Sequence, residues 1–264
     1  VNSSQFTLTV GTTTKLGFTR APPASATNGS AWATASQPVV AVQDVSGNTV
    51  TAATAGTVTA SISAGGTLTG TTVITRSSGV ATFTNLVLTG LTNSYTLTFH
   101  DSVAGIADVT ASVALGIGAA SQLILNPAPS TTAVSGTSFG QQPTVTVEDA
   151  GGNVLTAASG NVVVTTVAGS PTITGGTLAV SNGVAAFTGL TLTGAATTYN
   201  LKFTFGTVTN TAASVALSAA TTATKLALTT AGSTSVVNNT VFSSVPVVTI
   251  QDDGGNTMTV ATGT

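Results

Sequence analysis

The chain has 264 residues, five Lys/Arg, seven Asp/Glu and a net charge of −2, so only 5% of it is charged, against roughly 25% in ordinary soluble domains. So weak a field excludes steering onto nucleic acid or an anionic membrane. The absence of Cys removes thiolate metal sites, Cys nucleophiles and disulfide staples.

No apolar run reaches the roughly 18 residues of a membrane helix, so no membrane insertion is expected in this segment. A mean hydropathy of +0.47 then points to many buried strands or to a surface rich in Val, Ala and Thr. Thr alone supplies about a fifth of the chain, well above ordinary usage.

The opening alternates Phe6, Leu8 and Val10 with Thr7 and Thr9 before Gly11. It matches Val113, Leu115 and Ile117 before Gly118. Residues 1–13 are therefore expected to be the final strand of a preceding domain. A first strand follows over Lys15–Thr19, stopped by Pro22-Pro23, because proline cannot donate to a ladder.

The next strand carries the pattern that recurs. Pro38-Val39-Val40-Ala41-Val42-Gln43-Asp44 leads into Gly47-Asn48. Pro143 to Glu148-Asp149 leads into Gly152-Asn153, and Pro246 to Gln251-Asp252 leads into Gly255-Asn256. The copies lie 105 and then 103 residues apart, a period of whole domains and not of solenoid units of about 20–50 residues. Alternation turns Val40 and Val42, Val145 and Val147, and Val248 and Ile250 inward.

Further strands are expected over 57–63 and 67–75, with Gly65-Gly66 as the turn between them. In Gly79-Val80-Ala81-Thr82-Phe83-Thr84-Asn85-Leu86-Val87-Leu88, and again from Gly183 to Leu192, Phe and the following Leu pair are in opposite phase. That slip predicts a bulge or corner. Tyr95-Thr96-Leu97-Thr98-Phe99 and Tyr199-Asn200-Leu201-Lys202-Phe203 follow. Each Tyr suits a tyrosine corner near the start of its strand.

About seven short strands per repeat, turn signals between them and no helical periodicity give an all-β fold of tandem immunoglobulin-like sandwiches. Residues 14–118 and 119–221 are expected as two such domains. Residues 222–264 are expected as the first strands only of a third, completed by further sequence or by strand addition from a neighbouring chain.

Val-x-Val-[Gln/Glu]-Asp-x-x-Gly-Asn, followed later by Gly-Val-Ala-x-Phe, resembles the bacterial Ig-like repeats of large exported surface proteins of the invasin and intimin type. The resemblance spans essentially the whole chain. It implies extracellular, bacterial cell-surface display and carries no ligand with it.

Asp44, Asp149 and Asp252 are the regular acids. Each is expected to close its turn through its own downstream backbone; Ca²⁺ binding is the alternative, because loop carboxylates and carbonyls are hard oxygen ligands. His100 beside Asp101 is the one acid–base pair of note. With no activated nucleophile, no enzyme is expected. Trp32, like Phe139 and Phe242 before the same strand, reads as a core plug and not as a sugar platform. Lys15 and Lys225 occupy positions where an isopeptide crosslink could be sought, with Gln122 at the same place in the second repeat.

The expected role is an extracellular structural array forming or spacing a surface layer, sheath or filament. Its expected partners are copies of itself or neighbouring repeats, met through edge strands. The alternative is the stalk of an adhesin that presents a separate binding tip.

Overall fold

The computed structural model describes residues 7–259. Among the described residues its regular structure is β-strand apart from one short 3₁₀ turn at Thr34–Ser36. The chain forms tandem immunoglobulin-like β-sandwiches. Two compact units are present among the described residues: one of residues 7–120 with Glu148–Asn153, the other of residues 121–147 with 154–259.

In the first unit, Val39–Gln43 lies between Lys15–Arg20 and Val80–Thr82 in a three-stranded sheet. The facing sheet has five strands, in the order Ser25–Thr27, Val109–Gly116, Ser94–Asp101, Thr57–Ile62, Val73–Thr75. A separate pair joins Gly66–Thr71 to Thr84–Gly90. The second unit repeats this order strand for strand. It has Gln122–Leu125, Thr144–Glu148 and Val184–Ala186 in one sheet; Thr132–Val134, Val208–Ser218, Thr198–Phe205, Asn161–Thr166 and Thr177–Ala179 in the other; and Thr172–Thr174 with Thr191–Thr193 as the pair. Lys225–Thr230 and Val247–Gln251 form a further antiparallel pair.

Period-two patterning fills each core. Val40, Val42, Val58, Phe83, Leu97, Phe99 and Val113 are fully buried in the first sandwich. Val145, Val147, Val162, Phe187, Leu201, Phe203 and Val215 are their buried counterparts in the second. Each such side chain contributes roughly 1.5–3 kcal/mol on burial. Phe83 meets Phe99 edge-on at 5.1 Å, and Phe187 meets Phe203 in the same manner at 6.1 Å. Trp32 and Phe139 are buried before the central strand, as core plugs should be, whereas Phe242 is exposed. Val248 and Ile250 are exposed too, for the strand pair 225–251 has no facing sheet among the described residues.

The phase slip after Phe83 is a change of sheet. Val80–Thr82 pairs with Val39–Ala41, and Thr84–Gly90 pairs with the 66–71 strand. Asn85 takes a left-handed φ of 55° at the crossing, which lets Phe83, Leu86 and Leu88 all point inward.

The single strand expected over 67–75 is two strands. Gly66–Thr71 pairs with Thr84–Gly90, while Val73–Thr75 pairs with Thr57–Thr59. Gly70, at φ 99°, forms a bulge in the first ladder just before the switch. A side chain there would collide with the Asn85 carbonyl. At the chain's opening, Phe6 lies outside the described residues. Residues 7–13 are in no strand, and Leu8 and Val10 are exposed.

Candidate functional site

The Asp-x-x-Gly-Asn turn has the same internal geometry three times. The Asp N–H donates to the Asn carbonyl four residues on, at 3.0, 3.0 and 3.1 Å for Asp44, Asp149 and Asp252. The last Gly, with φ of 83–88° at Gly47, Gly152 and Gly255, donates back to the Asp carbonyl. Only a residue without Cβ holds that φ at no cost.

The carboxylate knits the turn from inside. Asp44 Oδ1 accepts from Ser46 N (3.0 Å) and Asn48 N (2.9 Å), and Asp149 Oδ1 accepts from Gly151 N (2.9 Å) and Asn153 N (3.0 Å). Asn256 N donates to Asp252 Oδ1 at 2.8 Å. In every copy the Asn Nδ2 reaches both carboxylate oxygens. The second oxygen also accepts from the linker that precedes the repeat: Gly11 N at 3.0 Å, Gly118 N at 2.8 Å and Ala220 N at 2.8 Å.

These donors favour the ionised form. The Gly11 N–H, then Asn48, holds Asp44 down from 3.8 to about 2. Burial alone would raise Asp149 and Asp252. The Gly118 and Asn153 donors at one, and the Asn256 and Ala220 donors at the other, outweigh it and keep both below 3.8.

Two of the turns also reach outward. Asn153 Nδ2 donates to the Gly90 carbonyl at 2.9 Å, and its Oδ1 accepts from Thr92 N at 2.8 Å. Asn256 repeats this on the next repeat, donating to the Gly194 carbonyl at 3.0 Å and accepting from Ala196 N at 2.6 Å.

The gripped loop is the tyrosine corner. Tyr95 Oη donates to the Leu91 carbonyl at 2.8 Å, and Tyr199 Oη to the Ala195 carbonyl at 3.1 Å. A third side chain completes each seat. Asn28 Nδ2 bonds the Gly90 carbonyl. Ser135 Oγ bonds both the carbonyl (3.3 Å) and the N–H (3.2 Å) of Gly194. Gly151 and Gly254 close the approach, since a Cβ at either would overlap the carbonyl oxygen of Gly90 or Gly194. Among the described residues the Asn48 side chain bonds Asp44 alone.

No family model matches the chain, and no curated protein matches it. Among solved structures it is similar to an I-band fragment of titin, at 10% identity over 78% of this chain and 65% of that one, with a TM-score of 0.32. It is also similar to a titin Ig tandem, at 12% identity over 80% of this chain and 100% of that one, TM-score 0.26. A third is the N-terminal Ig1-2 module of the Drosophila receptor protein tyrosine phosphatase DLAR, at 9% identity over 78% and 99%, TM-score 0.21.

The remaining candidates fall elsewhere. Asp44, Asp149 and Asp252 lie in separate turns, and no three metal-ligating side chains gather among the described residues. Each carboxylate faces N–H donors, the reverse of the oxygen-lined setting that suits Ca²⁺.

His100 does not pair with Asp101. Register places Asp108 next to the partner of Phe99, so His100 Nδ1 meets Asp108 Oδ1 at 2.7 Å on the exposed face. Asp101, one residue on, points to the opposite face by strand alternation and meets Arg76 at 3.0 Å, both side chains being buried. Lys15 and Lys225 lay their ammonium groups on turn carbonyls, at Val45 (3.3 Å) and Asp253 (3.1 Å).

The corner loop as the turn's partner escaped the sequence reading. The signal was present as a Gly five residues before each Tyr, at Gly90 and Gly194.

Proposed function

We propose that this chain is part of an extracellular structural array of bacterial Ig-like repeats that builds or spaces a surface layer, sheath or filament. One observation carries the reading. The turn of one repeat grips the corner loop of the repeat before it, through the same two Asn bonds at Asn153 and at Asn256.

A bond set spent on the neighbouring repeat serves spacing. Low charge adds to this: Thr, Val and Ala faces with little mutual repulsion can pack side by side. The sheet edges at Ser25–Thr27 and Val73–Thr75 are the places for strand-to-strand contact between copies.

Electron microscopy of native material tests the role. Ordered fibres or lattices are the expected result. Isolated rods would favour the adhesin-stalk reading, and a dispersed monomer at high concentration would overturn self-assembly.

A further inference from the structure

The three turns share their internal bonds but differ at one position. The residue two places after the Asp is Ser46 in the first copy, Gly151 in the second and Gly254 in the third. Backbone conformation does not demand glycine here, because the left-handed residue is the next one, at Gly47, Gly152 and Gly255. Space does. A Cβ at 151 would overlap the Gly90 oxygen and the Asn28 amide; a Cβ at 254 would overlap the Gly194 oxygen and crowd Ser135 Oγ. The obstruction in both seats is main-chain carbonyl, which has no rotamer with which to move aside.

The turn itself accepts a side chain at that place. With Ser46 present, Asp44 still takes the N–H groups of Ser46, Asn48 and Gly11.

We infer that the residue two places after the Asp decides whether a turn can grip a corner loop: Gly151 and Gly254 admit the loop, and a Cβ at that place, such as Ser46 carries, would run into the loop's carbonyl. Joints in such an array then come in two kinds, gripped and open, told apart by a single residue. The inference rests on the grip described above and not on any surface assembly, so failure of assembly in the microscope leaves it standing.

The test is amide exchange in the whole chain carrying Gly254→Ser or Gly151→Ser. The reporters are Ala196 N–H and Thr92 N–H, whose acceptors are the Oδ1 atoms of Asn256 and Asn153. Each substitution is expected to speed exchange at its own reporter about tenfold or more. The other reporter should keep the parent rate, as should the turn's own amides, Asn256 or Asn153. Parent-like protection of Ala196 in Gly254→Ser, or of Thr92 in Gly151→Ser, overturns the inference. So does general loss of protection in either variant, because Ser46 shows that the turn folds with a side chain there.

Discussion

The two sandwiches share every strand pairing yet fill one equivalent place with opposite chemistry. In the first, Arg76 and Asp101 form a buried ion pair at 3.0 Å. Arg76 also donates to the Ala53 carbonyl at 3.2 Å and to the Ala55 carbonyl, and Asp101 accepts from Val103 N at 2.9 Å. In the second, Val180 and Phe205 stand at those positions, both half-buried. The equivalence is exact in the backbone: Arg76 N donates to the Gly56 carbonyl as Val180 N donates to that of Gly160. A Cβ on Gly56 would meet the Arg76 guanidinium, and one on Gly160 would meet the Phe205 ring.

The difference teaches that the ion pair is not needed to make this fold. Two desolvated charges recover their hydration cost only through good geometry, and an apolar pair often serves as well. What the pair adds is local: it ties the 53–55 loop to the end of the strand Ser94–Asp101.

The largest effect expected from breaking this comparison is at Asp101. Asp101→Ala strands a buried guanidinium and should destabilise the first sandwich by about 3–5 kcal/mol. Phe205→Ala, at the matching place, should cost the second about 1–3 kcal/mol, since that ring is only half-buried. Amide exchange at Leu97 and Leu201 reads the two separately. Transplanting the second sandwich's solution, Arg76→Val with Asp101→Phe, should recover most of the loss and fall within about 1–2 kcal/mol of the parent. A double variant as unstable as Asp101→Ala would show that the charges themselves are required.

The turns extend the comparison. Asn256→Ala removes the bonds to Gly194 and Ala196 and should cost about 1–2 kcal/mol, read as faster exchange at Ala196.

Acid sharpens the same contrast. Asp44 has its pKa lowered from 3.8 to about 2, so its stabilisation is fully present above about 3.8 and is lost as pH falls through about 2. Protection of the Gly11 amide should fade over that window, tracked by the Asp44 carboxyl shift in NMR. The smallest effect belongs to His100→Ala. That pair is exposed, and its removal should change stability by less than about 0.5 kcal/mol.

Much of this was legible because β-structure writes its faces in period two. Val40 and Val42, Val145 and Val147, and the two tyrosines announced their roles one residue at a time. The slip after Phe83 announced the sheet change. What was not legible depends on which strands become neighbours.

Arg76 and Asp101 are far apart in the chain and meet because Val73–Thr75 and Ser94–Asp101 flank the same strand, Thr57–Ile62. His100 and Asp108 meet only through register. The turns were readable as turns, and Asp44, Asp149 and Asp252 as their closers. Their outward grip was hidden, because its other half is backbone: the carbonyls of Gly90 and Gly194 and the amides of Thr92 and Ala196 leave no side-chain signature.

The central claim is that Asn153 and Asn256 hold those loops by direct hydrogen bonds. The most direct measurement is the scalar coupling that NMR detects across a hydrogen bond, from the Thr92 amide nitrogen to Asn153 Cγ and from Ala196 to Asn256 Cγ. Both couplings are expected in the folded chain. Absence of both, with Thr92 and Ala196 amides exchanging freely with water in the folded chain, would contradict it.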